Sequence, residues 1–221
     1  YINSLTDPEA APQQAAPEPE TAKPAGVQAW SARELSEMVL PPIRHVVEGL
    51  LPMGMGVLVA KPKLGKSWMV LDLCLAVAQG EPFLGFPTQQ HGTLYLALED
   101  GKSRMQTRLR RLLEGRPAPA NMHVMFQAQR LGEGLLETLG EYLDANPDIH
   151  LVCIDTLSKI KPKAKPFENA YDADYDYMGR LKAFADSRGI CVLLVHHTRK
   201  SKNPEDSFDN INGSTGILGA A

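Results

Sequence analysis

Residues Ala60 to Ser67 read Ala-Lys-Pro-Lys-Leu-Gly-Lys-Ser, between a short apolar run that ends at Ala60 and a long one that starts at Lys66. No other stretch restricts the fold of this chain as strongly. A loop with glycine, lysine and a hydroxyl in its last three places, entered from a strand and left through a helix, suits a phosphate chain. Backbone N–H groups converge at the helix N-terminus, an ammonium meets the outer phosphate oxygens, and a hydroxyl faces Mg2+. Gly65 permits close backbone approach, Lys66 carries the charge and Ser67 the hydroxyl. The nucleotide-binding set is then Ala60, Lys61, Pro62, Lys63, Leu64, Gly65, Lys66, Ser67 and Trp68. The full pattern has glycine where Ala60 stands, and alanine tolerates fewer backbone angles. A lysine-rich turn between strand and helix is the plain alternative, which the flanking periodicity argues against.

Downstream, short apolar runs alternate with helical patterns. Strands are expected at Met55 to Ala60, Thr93 to Leu98, Met122 to Gln127, His150 to Ile154 and Ile190 to Val195, several almost wholly apolar, as strands covered on both faces are. Between them, the helix from Lys66 to Gln79 carries only Asp72 as a charge after the motif. Helices from Lys102 to Glu114, Glu133 to Ala145 and Asp172 to Arg188 show apolar stripes. Strands joined by helical crossovers specify an α/β fold with a mainly parallel, doubly wound sheet.

Ligands of such sheets sit at the carboxyl ends of the strands, so the strand endings matter. They are the loop at Ala60, Glu99-Asp100, Asp155-Thr156 and His196-His197-Thr198. Asp155, an acid at the tip of Leu-Val-Cys-Ile-Asp, suits Mg2+ opposite the Ser67 hydroxyl; the alternative is an acid capping the next segment. Glu99 is placed to orient or deprotonate an attacking water, with Asp100 as the cap of the helix that follows. Strand alternation sends His196 and His197 to opposite faces, and His197 is the choice for a contact to the outermost phosphate.

Lys-Pro-Lys-Leu-Gly-Lys-Ser-Trp, Leu-Tyr-Leu-Ala-Leu-Glu-Asp, Leu-Val-Cys-Ile-Asp-Thr-Leu-Ser and Val-Leu-Leu-Val-His-His-Thr, in this order, resemble the RecA-like P-loop ATPases of the RepA type, the hexameric replicative DNA helicases of plasmids and phages. The resemblance covers roughly residues 40–221. It implies ATP and Mg2+ as cofactors, Lys66 and Ser67 on phosphate and metal, Glu99 as catalytic base, Asp155 as the second metal residue and the His-His pair as γ-phosphate sensor. It further implies a homohexamer acting on single-stranded DNA. In that family an arginine serving the neighbouring subunit's site follows the His-His segment. Here Arg199 is the only nearby substitute, so the RecA-like domain is expected to be C-terminally incomplete and slow in turnover.

Two polar stretches follow the strand endings at the places where RecA-like rings resemble one another in carrying pore loops. Lys159, Lys161, Lys163 and Lys165 alternate before Phe167, and Lys200 and Lys202 follow Arg199. Basic side chains near an aromatic suit single-stranded nucleic acid, and Lys161, Lys163, Lys165, Lys200 and Lys202 are the candidate contacts; a solvated loop is the bland reading. The helix arginines Arg104, Arg108, Arg110 and Arg111 read as a solvated or subunit-facing surface.

Composition narrows the rest. Net charge is -3, and Asp7, Glu9, Glu18 and Glu20 against Lys23 place all of it in the first 26 residues, so any nucleic-acid contact is a local patch. Residues 1–27, rich in Ala and Pro, are expected as a disordered tail. Residues 28–47 are expected as a short helical segment capped by Ser31 with Glu34 and stopped by Pro41-Pro42, and 48–221 as the ATPase domain. Cys74, Cys153 and Cys191 lie in apolar runs with no metal-ligand spacing, which favours reduced core thiols and a cytoplasmic setting. No apolar run is long enough to span a bilayer. A regulatory or helicase-loading ATPase, in which ATP drives assembly without unwinding, is the rival function. A kinase is disfavoured because no acceptor-binding domain or lid is visible.

Overall fold

In the computed structural model, residues 29–163 and 170–197 are described, and the chain divides into two compact units between Pro41 and Pro42. The first contains helix α1 (Ala32–Glu37), closed by the expected capping box. The Ser31 hydroxyl accepts from the Glu34 N–H at 3.2 Å, and the Glu34 carboxylate accepts from the Ser31 N–H at 2.7 Å. The helix stops at Glu37, ahead of the proline pair expected to end it, because Met38 is already extended. The tail at 1–27 lies outside the described residues.

The second unit opens with a short antiparallel pair, β1 (His45–Val47) and β2 (Leu51–Pro52), too short to register as periodicity. Val46 and Val47 are nevertheless fully buried, so core packing begins just before the expected boundary at residue 48. Five parallel strands follow: β3 (Gly54–Ala60), β4 (Gly92–Ala97), β5 (Met122–Met125), β6 (Ile149–Asp155) and β7 (Cys191–His197). Their order across the sheet is β3-β7-β6-β4-β5. The crossovers carry α2 (Lys66–Gln79), α3 (Lys102–Leu113), α4 (Leu135–Ala145), the short α5 (Leu157–Ile160) and α6 (Ala170–Arg188). This is the expected α/β fold with a mainly parallel sheet, and each expected strand and long helix is present.

Two cores lie on the two faces of the sheet, and the period of two along each strand sorts residues between them. Leu94, Leu96, Val152, Ile154, Val192 and Leu194 pack with α4, α5 and α6. Tyr95, Ala97, Leu151, Cys153, Cys191, Leu193 and Val195 pack with α2 and α3. The central strand β6 is covered on both sides, with Leu151, Val152, Cys153 and Ile154 wholly buried; each large apolar side chain so buried contributes about 1.5–3 kcal/mol. The three cysteines fall in the α2 and α3 core as buried free thiols. Burial raises the Cys153 thiol well above its ordinary value and pushes Cys191 up to about 12, so both stay protonated.

Alternation and register together place the strand tips. Ala60 is level with His197, Val195 with Asp155, and Asp155 with Ala97. Asp155 and His197 share parity with the α2 and α3 face, whereas His196 points to the other. The chemistry-bearing residues thus meet on the side from which α2 starts.

Candidate nucleotide site

The loop from β3 into α2 makes its sharp turn at two positions of left-handed backbone, Lys63 (φ 66°) and Gly65 (φ 86°). Ala60, where the full motif has glycine, is the last residue of the extended strand β3. Its Cβ therefore meets no backbone demand, and the departure from the motif is conformationally neutral. Gly65 is the N-cap of α2 and supplies no side-chain hydrogen bond there, so the dipole of a 14-residue helix ends at this loop without a polar side-chain cap.

Lys66 is buried to 6% exposure, and its ammonium donates to the carbonyls of Ala60 (2.6 Å) and Lys61 (2.8 Å). Burial lowers its pKa, and the charges of Asp155 and then Glu99 act against that lowering. The two carboxylates chosen from the sequence therefore both bear on this one ammonium.

Asp155 closes β6 and is 5% exposed. One of its oxygens, Oδ2, accepts from the Tyr95 hydroxyl at 2.8 Å. Tyr95 is wholly buried on β4, and burial, followed by the Asp155 charge, raises its pKa, so the phenol remains a donor. Sequence reasoning missed this residue because an aromatic inside an apolar strand reads as core. Only the register of β4 against β6, with Tyr95 level with Cys153 and Ala97 with Asp155, brings it under the carboxylate.

Glu99 lies in the turn beyond β4, half-exposed, with Oε2 3.7 Å from His197 Nε2. His197 Nδ1 is buried and has no hydrogen-bond partner among the described residues. His196 is buried on the opposite face.

Asp100 does not cap the following helix. The N-cap of α3 is Gly101, which makes no side-chain bond. The Asp100 carboxylate accepts instead from Arg104 Nη1 at 2.9 Å and from Arg108 Nη1. A carboxylate bond to a helix N–H is also charge-assisted, but two full positive charges add an attraction that the N–H lacks, so two arginines one turn apart outcompete the cap. Arg104 and Arg108, expected on a solvated or subunit-facing surface, line a cleft of about 130 Å³ together with Ser67, Ala97, Glu99, Asp100 and Asp155.

The candidate DNA lysines are dispersed in their surroundings. Lys161 pairs with Asp174 at 3.0 and 3.2 Å and lies 5.3 Å over the Tyr177 ring. Lys163 is exposed. Lys165, Lys200 and Lys202 lie outside the described residues, as does Arg199.

A family model described as the AAA domain matches residues 21–203, most of the chain. The chain belongs to the AAA-domain family. Among solved structures, this AAA domain is similar to one described as an ATPase domain, with a TM-score of 0.58 at 14% identity, covering 76% of this chain and 67% of that one. It is also similar to a DnaB-like replicative helicase solved for its interactions with primase, with a TM-score of 0.57 at 16% identity, covering 76% of this chain and 46% of that one. The chain thus spans under half the length of the second structure. At such identities the likeness is one of fold, the α/β fold with a parallel sheet that those two structures share with this chain. No curated protein sequence matches the chain. No helix among the described residues is long and apolar enough to cross a membrane.

Proposed function

We propose that this AAA domain binds and hydrolyses ATP with Mg2+ as the motor of a replicative DNA helicase of the RepA type, working as a homohexamer on single-stranded DNA. The observation that carries the reading is the meeting of Lys66, Ser67, Glu99, Asp155 and His197 around the end of one parallel sheet, with the first two opening the helix that follows its edge strand. Lys66 supports it further: a buried ammonium held by two loop carbonyls can exchange them for phosphate oxygens.

The donor set fits the cofactors. Mg2+ prefers hard oxygen ligands, takes one or two carboxylates and keeps several waters, and the cleft offers the Ser67 hydroxyl and the Asp155 carboxylate among its walls. When bound, MgATP supplies the electrophilic phosphorus and neutralises the charge that develops on it. The residues of the chain supply position and proton transfer. Lys66 and the uncapped first turn of α2 hold the phosphate oxygens, Ser67 and Asp155 hold the metal, and Tyr95 fixes the Asp155 carboxylate. Glu99 accepts a proton from the attacking water at a carboxylate oxygen. His197 orients Glu99 and the outer phosphate oxygen from the neighbouring strand tip. Arg104 and Arg108 add positive charge from the same subunit, directed by Asp100.

Steady-state ATP hydrolysis by the full-length protein, with and without single-stranded DNA, tests the motor. Stimulation by DNA and loss of turnover in Lys66→Ala are expected; absence of both rejects it. Nucleotide-dependent assembly without strand separation transfers the reading to a loading ATPase. For DNA binding, neutralising Lys163 and Lys165 should reduce the salt slope by about one for each phosphate that is no longer neutralised. Neutralising Lys161 should act mainly through its pair with Asp174, as a stability loss.

A further inference from the structure

Ser67 and Trp68 are consecutive residues in the first turn of α2, and they face two different clefts. Ser67 lines the phosphate cleft with Asp155. Trp68 lines a separate, wider one of about 430 Å³ with Arg111, Leu112 and Glu114, at the other end of α3. Arg108 joins the two. It lines the first cleft, and its guanidinium carbon lies 5.3 Å from the centre of the Trp68 ring, with that of Arg111 at 5.6 Å. The indole one residue past the motif serine thus meets two guanidinium groups of α3 and shares its cleft with the exposed carboxylate at the end of that helix, and nothing in the phosphate chemistry uses the indole.

We propose that the cleft beside Trp68 receives the base of the bound nucleotide. This rests on the nucleotide-site reading above and goes beyond it by assigning the base. The volume is within the range of small-ligand pockets. Aromatic stacking accepts any base, because every base has a π face. A purine covers more of an indole than a pyrimidine does, so ring area favours ATP and GTP. The Glu114 carboxylate only accepts hydrogen bonds, so it suits the exocyclic amino group of adenine or guanine better than uracil, whose single donor, N3–H, is flanked by two carbonyl oxygens that repel a carboxylate. Arg111 donates to ring nitrogens and to a carbonyl where the base has one. The cleft therefore selects purine nucleotides over UTP by combining a stacking surface with an acceptor.

Trp30 and Trp68 are the two tryptophans of the chain, so Trp30→Phe leaves Trp68 as the sole indole reporter. In that background ATP and GTP should quench the fluorescence of Trp68, whereas inorganic tripolyphosphate should bind without quenching. Calorimetry of the full chain with ATP, GTP, UTP and tripolyphosphate supplies the affinities. Trp68→Leu should weaken ATP binding about tenfold to a hundredfold and leave tripolyphosphate unchanged, with Trp68→Phe intermediate as a check that ring, and not fold, is lost. Glu114→Gln should narrow the preference for ATP over UTP. If Lys66→Ala abolishes both ATP and tripolyphosphate binding while Trp68→Leu and Trp68→Phe leave ATP affinity untouched and Trp68 fluorescence is blind to ATP, the base lies elsewhere and the phosphate site stands. If neither ATP nor tripolyphosphate binds the unsubstituted chain, the nucleotide-site reading fails and the base pocket with it.

Discussion

Tyr95→Phe removes one oxygen and leaves the shape of a fully buried side chain in place. What it deletes is the 2.8 Å bond from the phenol to Asp155 Oδ2, at a carboxylate that is itself 5% exposed. A hydrogen bond to a charged group contributes about 1.5–3 kcal/mol, and the acceptor left behind has almost no water to turn to. A loss of about 2 kcal/mol in a chain of this size lowers Tm by roughly 4–8 °C. Thermal and urea unfolding of Tyr95→Phe, Asp155→Ala and the double variant measure the coupling. A shift under about 1 °C for Tyr95→Phe, or strict additivity, refutes the claim that the phenol anchors the carboxylate. A positioning role makes a second demand. The Mg2+ concentration that half-saturates hydrolysis should rise about tenfold to a hundredfold, as it does when a partner of a metal ligand is removed. A stability loss with unchanged Mg2+ dependence would reduce Tyr95 to a packing residue.

Ala60→Gly, which restores the usual motif residue, should cost about 0.5–1 kcal/mol in urea unfolding, because position 60 is extended strand where glycine adds only chain entropy. Gly65→Ala should cost about 1–2 kcal/mol although nothing stands within 4 Å of the added Cβ, since the backbone there is left-handed at φ 86°. Burial first, then the His150 and Arg44 charges, hold the His91 pKa below its ordinary 6.5. The unfolded chain therefore binds more protons as pH falls through 6.5, and stability should decline on that side and stay level above it. His91→Gln should flatten this part of a Tm profile measured between about pH 5 and 8.

The fold was legible because its signals were local and strong. Five apolar runs bounded by helical stripes yielded the strands within a few residues, and Lys66 to Gln79 emerged as a helix with the observed ends. That His196 and His197 point to opposite faces followed from the period of two and needed only the strand to continue to residue 197. Three features escaped. The β1 and β2 pair is three and two residues long, below any periodic signal. Tyr95 differs from a core aromatic only by the carboxylate within reach of its hydroxyl, that of Asp155 on β6, two strands later in the sequence. Asp100 looked like a cap because caps are judged from the next few residues, and the competing partners Arg104 and Arg108 sit four and eight residues on.

Those arginines change how the site is tied together. Arg104, Arg108 and Arg111 recur at intervals of four and three, the spacing of one face of a helix. The first two are fixed by Asp100 at the strand end, and the last two reach Trp68. One stripe along α3 thus runs from the cleft with Ser67 and Asp155 to the cleft with Trp68. Asp100 sets the rotation of that stripe, since a carboxylate that accepts from two guanidinium groups constrains both. Asp100→Asn keeps an acceptor but loses the charge, so it should weaken both ends together. The Trp68 fluorescence and the rate of hydrolysis are expected to change in the same variant, although Asp100 touches neither Trp68 nor Lys66 by any bond among the described residues. If hydrolysis slows while the Trp68 signal stays fixed, the two clefts are held independently and the stripe does not link them.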